Sequence, residues 1–177
     1  REFVSGLSNH LTELRGKRVG VLTHLSGDQD SIAAAYVLGN LLRDCYGADV
    51  AEGVHVPGEV SDVSERFAAA LSVQLAPELP EAEHYVAVDA GSPNQLGNAF
   101  PSILGRLTVV DHHHVGDQWP EGVAVFASPD YKSSSEIVLD LCILNRRSLN
   151  AVESSALFFG IYYDTVRLTV ADALTLR

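Results

Sequence analysis

"RVGVLTHLSGDQDSIAAAYVLGNLL" (18–42) is the stretch whose reading decides the fold. Its first seven residues form a continuous aliphatic run ending in His24, the pattern of a strand buried on both faces in a parallel sheet. Apolar residues then return at helical spacing from Ile32 to Leu42, and the pattern stops near Gly47. A strand, a short polar loop and a helix in immediate succession are the building unit of an α/β sheet.

Working outward, the same alternation continues. "ADVAEGVHV" (48–56) reads as a second strand, and "SDVSERFAAALSVQL" (61–75) as a helix opened by Ser61 or Asp62 with Glu65 in a capping-box position. Three further strands are "HYVAVDAG" (84–91), "RLTVVDHH" (106–113) and "GVAVFAS" (122–128). Ser133 to Ser135 with Glu136 can cap "EIVLDLCILNRR" (136–147), and "NAVESSALFFGIYYDT" (150–165) reads as a final helix. The expected fold is α/β: an open, mostly parallel five-stranded sheet with helices on both faces, built as one domain over residues 1–177.

Composition bounds the function. With 177 residues and 46% hydrophobic content the chain can bury a sizeable core. It has no run of about 18 apolar residues, and "REFVSGLSNHLTELRGKR" lacks the apolar block of a signal peptide. A soluble, cytoplasmic domain without a membrane partner is therefore expected. Cys45 and Cys142 lie in apolar helical stretches without a CxxC pairing and read as buried free thiols. The formal charge of −11, from 23 acids against 12 bases, repels polyanions. That argues against long duplex nucleic acid, whose binding gains much of its free energy from phosphate neutralisation, and leaves short phosphate-bearing ligands. Lys132, Arg147 and Arg167 read as exposed charges. Nothing in the sequence sets an oligomeric state.

In open parallel sheets, ligands gather beyond the carboxyl ends of the strands. His24, Asp28 and Asp30 follow the first strand, Asp89 ends the third, and Asp111, His112 and His113 end the fourth. Each has a bland reading taken alone: His24 as a boundary histidine, Asp28 or Asp30 as a helix cap, Asp89 as a turn former, and the histidine triple as a solvated loop. Gly91, Gly97 and Gly116 need mean no more than tight turns. Caps and turns, however, give no reason for acids and imidazoles to recur at the same end of three strands. Carboxylates and imidazoles together suit a divalent ion such as Mn²⁺, with Mg²⁺, Co²⁺ or Zn²⁺ as alternatives. Two such ions about 3.5–4 Å apart can share a carboxylate and a water, whose lowered pKa supplies a hydroxide for in-line attack on phosphorus. The expected chemistry is metal-assisted hydrolysis of a phosphoester or phosphoanhydride.

These segments resemble the motifs of the DHH phosphoesterase superfamily. "HLSGDQD" is similar to motif I, HxxxDxD; "VAVDAG" to the motif II aspartate; "VVDHHH" to the motif III signature; and "FFGIYYDTVRL" to motif IV, G-I-x-x-D-T. The four occur in order across residues 24–168. The resemblance implies two metals: one held by His24, Asp28 and Asp89, the other by Asp30, Asp89, His112 and Asp164, with Asp89 bridging. Asp164 rests on the resemblance, since position alone makes it a helix-terminal acid. His113 would contact the substrate phosphate or assist proton transfer, so that Asp89, His112 and His113 form the catalytic group. Asp111 would orient the loop or a ligating imidazole from behind, a support that metal-binding histidines commonly need. His114 is extra to the signature and reads as exposed and dispensable.

Two departures stand out. Motif IV often continues D-T-G, whereas this chain runs "DTVRL", which puts the turn after Thr165 in question. Family members also usually continue into a smaller substrate-binding domain, expected to be absent from this chain. The resemblance implies hydrolysis of short oligonucleotides or nucleotides, with inorganic pyrophosphate or polyphosphate as the alternative substrate, or a catalytically silent module that senses nucleotide or metal. A phosphorelay receiver would also carry acids after its first and third strands. It requires a lysine just after the fifth strand, whereas Lys132 comes several residues later, and it has no use for His24 or His112.

Overall fold

The computed structural model describes residues 2–114 and 119–176. Its strands are β1 (Arg18–Thr23), β2 (Asp49–Val50), β3 (Val54–His55), β4 (Leu75–Ala76), β5 (His84–Val88), β6 (Leu107–Asp111) and β7 (Val123–Ala127). The helices are α1 (Glu2–Leu11), α2 (Gln29–Leu41), α3 (Asp62–Ala70), α4 (Phe100–Ile103), α5 (Ser134–Leu144) and α6 (Ala151–Asp164). All strand pairs are parallel, in the order β4-β3-β1-β5-β6-β7, with β2 also pairing β1.

The expected α/β architecture is present, but among the described residues the sheet has seven strands rather than five. Residues 48–56 split into β2 and β3 because the chain turns at Gly53, whose φ of 77° lies in the left-handed region. The helix expected over 61–75 ends at Ala70; Ser72 takes φ 54°, and Leu75 and Ala76 then join β3 as an edge strand. α1 was not foreseen, although Val4, Leu7, Leu11 and Leu14 recur at helical spacing and are all buried.

Alternation along the strands builds two cores. Val86 and Val88 of β5 and Val110 of β6 join the core formed with α1, α2, α5 and α6, while Tyr85, Ala87, Leu107 and Val109 join Leu96 and Ile103 on the opposite face. α2 is buried almost all round, with Ala33, Ala34 and Ala35 keeping it slim between β1 and the pair α5 and α6. Cys142 is buried and Cys45 half-buried, and both are free thiols. No helix among the described residues is long and apolar enough to cross a membrane.

Topology and register place the site. From β1 the sheet runs one way through β3 to β4 and the other way through β5 and β6 to β7, so the order reverses between β1 and β5, where ligands collect in such sheets. Thr23 pairs with Val88, and Val88 with Val110. The next residues, His24, Asp89 and Asp111, therefore leave three adjacent strands at one level.

Candidate metal centre

Asp28 caps α2: its side chain accepts from the Ser31 amide, and the Ser31 hydroxyl accepts from the Asp28 amide. Capping and membership of the cluster coexist, because the same carboxylate lies 3.7 Å from His24 Nε2. Nδ1 of His24 bonds the Leu25 carbonyl, which assigns the proton of a neutral ring to Nδ1 and leaves the Nε2 lone pair facing the cluster. Nε2 is also 3.7 Å from Asp89 Oδ2.

Asp89 leaves β5 with φ 62°, a left-handed conformation uncommon outside glycine. This turns a buried carboxylate so that its two oxygens serve opposite sides: Oδ2 faces His24, and Oδ1 lies 3.3 Å from His112 Nε2. His112 Nε2 is also 3.1 Å from Asp164 Oδ2, at the end of α6. Although close to both carboxylates, this buried nitrogen makes no well-directed hydrogen bond. A lone-pair donor aimed between two carboxylates, with no hydrogen-bond partner of its own, fits a metal ligand.

Asp30 is fully buried at the start of α2, where Oδ2 accepts from the Ser134 amide at 2.7 Å and Oδ1 from the Ser135 amide at 2.9 Å. Donor atoms of His24, Asp28 and Asp89 lie within 4.8 Å of one another, as do those of Asp30, His112 and Asp164. Asp89, Asp111, His112 and His113 form a third such group. All six residues expected to hold metal are thus brought together. Asp111 bonds Nδ1 of His113 at 2.8 Å, so it orients that ring and not the His112 imidazole. His113 is half-exposed and His114 exposed.

Electrostatics favour a cation here. Burial alone would lower the pKa of His24, but Asp28, the Leu25 carbonyl and Asp89 outweigh it and raise the value from 6.5 to about 9. His112 behaves likewise: burial is outweighed by Asp164, Asp89 and Asp30, and its pKa rises to about 11. Burial, together with neighbouring carboxylates, pushes Asp30 well above the usual carboxylate range and raises Asp164 too. Asp28 moves the other way, to about 2, because its bonds to His24 and Ser31 overcome burial. Without metal, protons supply the positive charge that these crowded carboxylates require; a divalent ion would displace them.

Some readings need correction. Arg147 is not an exposed charge: its guanidinium bonds Asp44 and the buried Glu153, a structural link between the turn after α2 and the start of α6. Lys132 pairs with Asp172 at 3.5 Å. The turn after Thr165 is left-handed throughout, with φ 49° at Val166, 59° at Arg167 and 65° at Leu168. Gly116 lies outside the described residues. From the sequence, Ser134 is only part of a helix cap and Gly160 only the glycine of motif IV; in the structure the lack of a side chain at Gly160 lets α6 approach Asp30 and Ser135.

Fold and site together define an open parallel α/β protein with a carboxylate–imidazole cluster at the reversal of its strand order. Residues 18–162 match the DHH family, N-terminal domain, and the chain belongs to that family. An uncharacterized protein of Methanocaldococcus jannaschii is 30% identical over 121 residues, which span 66% of this chain and 34% of that protein. An exopolyphosphatase-related protein from Bacteroides fragilis, known from its crystal structure, shares the fold with a TM-score of 0.74 at 18% identity, over 97% of this chain and 53% of that one. The chain therefore spans from 34% to 53% of the length of these two relatives.

Proposed function

We propose that this chain is the metal-holding domain of a phosphoesterase acting on short oligonucleotides or nucleotides, with two Mn²⁺ ions as cofactors. The observation that carries the reading is the division of Asp89, whose Oδ2 faces His24 while Oδ1 faces His112. His24, Asp28 and Asp89 would hold one ion, and Asp30, Asp89, His112 and Asp164 the other. When bound, such ions neutralise phosphoryl charge and lower the pKa of water at the site.

The chain's own residues supply the rest. Asp111 holds His113 through Nδ1, leaving Nε2 free at the half-exposed rim. The bond to Asp111 outweighs burial and raises the His113 pKa, favouring the protonated ring. His113 Nε2 would thus donate to a substrate phosphate or pass a proton to the leaving oxygen. The net charge of −11 favours short substrates over long polyanions. Substrate selection by a further, smaller domain is part of the same proposal.

A second reading, hydrolysis of pyrophosphate or polyphosphate, is favoured by the fold shared with the exopolyphosphatase-related protein. The test is a side-by-side assay with Mn²⁺ of bis-p-nitrophenyl phosphate, a dinucleotide, adenosine bisphosphate and pyrophosphate, using this chain and any longer natural form. Turnover of the ester substrates supports the first reading, and of pyrophosphate alone the second. No turnover of any substrate by the longer form rejects both and leaves a silent metal- or nucleotide-binding module.

A further inference from the structure

We infer that Ser134 is a positioning residue for the cluster: its hydroxyl aims Asp89 while its amide, with that of Ser135, fixes Asp30. The inference deepens the metal reading above and rests on it. α5 begins with Ser133 as its cap, so the amides of Ser134 and Ser135 lie in a first helical turn, where backbone donors have no partner within the helix. Both go to the two oxygens of Asp30, 2.7 and 2.9 Å away. The Ser134 hydroxyl, fully buried, donates to Asp89 Oδ1 at 3.1 Å. One residue thus ties the first turn of α2 to the end of β5, across sequence separations of 104 and 45 residues.

These donors restrain the carboxylates differently. Asp30 is gripped at both oxygens by backbone, which persists whatever side chain stands at 134. Asp89 is held by the hydroxyl at Oδ1 alone, the oxygen on the His112 side. That bond limits rotation of the carboxylate and keeps Oδ1 turned toward His112 and Asp164. Its loss falls first on the ion held by Asp30, His112 and Asp164, and less on the ion beside His24 and Asp28, which uses Oδ2.

The experiment is calorimetric titration of the metal-free protein with Mn²⁺, comparing wild type, Ser134→Ala, Ser134→Cys and the exposed-site control His114→Ala. Competition by His112→Ala and His24→Ala variants assigns each binding event to a side. Wild type and His114→Ala should show two events. Ser134→Ala should weaken the His112-side event by about 10–100-fold, the range for removing a hydrogen-bond partner behind a metal ligand, and leave the other within about threefold. Ser134→Cys nearly preserves volume but donates weakly, so it should behave as Ser134→Ala, and it carries the test if the alanine variant does not fold. Wild-type affinity for both ions in Ser134→Ala and Ser134→Cys overturns the positioning role while the metal reading stands; so does equal weakening of both events, which marks general damage. A wild type that takes up no Mn²⁺ overturns the metal reading and this inference with it.

Discussion

Gly160→Ala tests the packing that brings α6 to the cluster. In an exposed helix interior this change gains about 0.8–1 kcal/mol of helix propensity. Here the added methyl would overlap Ser135 Oγ and stand 2.9 Å from Asp30 Oδ1 and 3.1 Å from Ser135 Cβ. The Ser135 hydroxyl is buried without a hydrogen-bond partner and can rotate away. Asp30 cannot, because both its oxygens are held by α5 amides, and Ser135 Cβ moves only with the α5 backbone. Overpacking of this kind costs about 1–3 kcal/mol, and the pinned neighbours place this site toward the upper end. The net effect is a loss of about 1–2 kcal/mol, or a melting temperature lower by about 2–8 °C for a chain of this length. Thermal unfolding of the metal-free protein followed by circular dichroism measures it. The double variant with Ser135→Ala should recover part of the loss, since the two changes share a contact. A melting temperature equal to or above wild type for Gly160→Ala would refute the reasoning.

Three further predictions concern the same region. Asp89→Ala should weaken binding of both Mn²⁺ ions by more than about 100-fold, because a ligand costs at least as much as its supporting partner; retention of either ion in calorimetric titration contradicts the bridging role. Val166→Gly should stabilise the protein by about 0.5–1 kcal/mol, as relief of roughly 1–2 kcal/mol of left-handed strain exceeds the added freedom of the unfolded chain. A lower melting temperature would show that the turn at φ 49° is not strained. His24 has a folded-state pKa raised from 6.5 to about 9, so its contribution to the metal-free protein is complete below pH 6.5 and is lost as pH rises through 9. Melting temperatures in a chelator should therefore fall between pH 7 and pH 10, and a flat profile would contradict the charge assignment.

Much of the site was legible because its signals are local. An aliphatic run ending in a polar residue announces the carboxyl end of a buried strand, and this placed His24, Asp89, Asp111 and His112 at one rim before any contact was known. Asp28 was legible both as a cap and as a candidate ligand, and it is a cap that also lies in the cluster, since a carboxylate has lone pairs enough for both. The short edge strands and α1 were harder. β2, β3 and β4 have two residues each, too few to show any periodicity.

The sequence by itself determined the α/β class, the alternation of strands and helices, and the rim at which acids and imidazoles collect, because hydrophobic period and capping chemistry act over a few neighbouring residues. Tertiary structure decided the register that levels His24, Asp89 and Asp111, the arrival of Asp164 on α6, and the grip of Ser134 and Ser135 on Asp30. It also decided which oxygen of Asp89 serves which side. Those relations join residues tens of positions apart, and they come into being only when α2, α5 and α6 pack on the sheet; no local pattern of the chain encodes them.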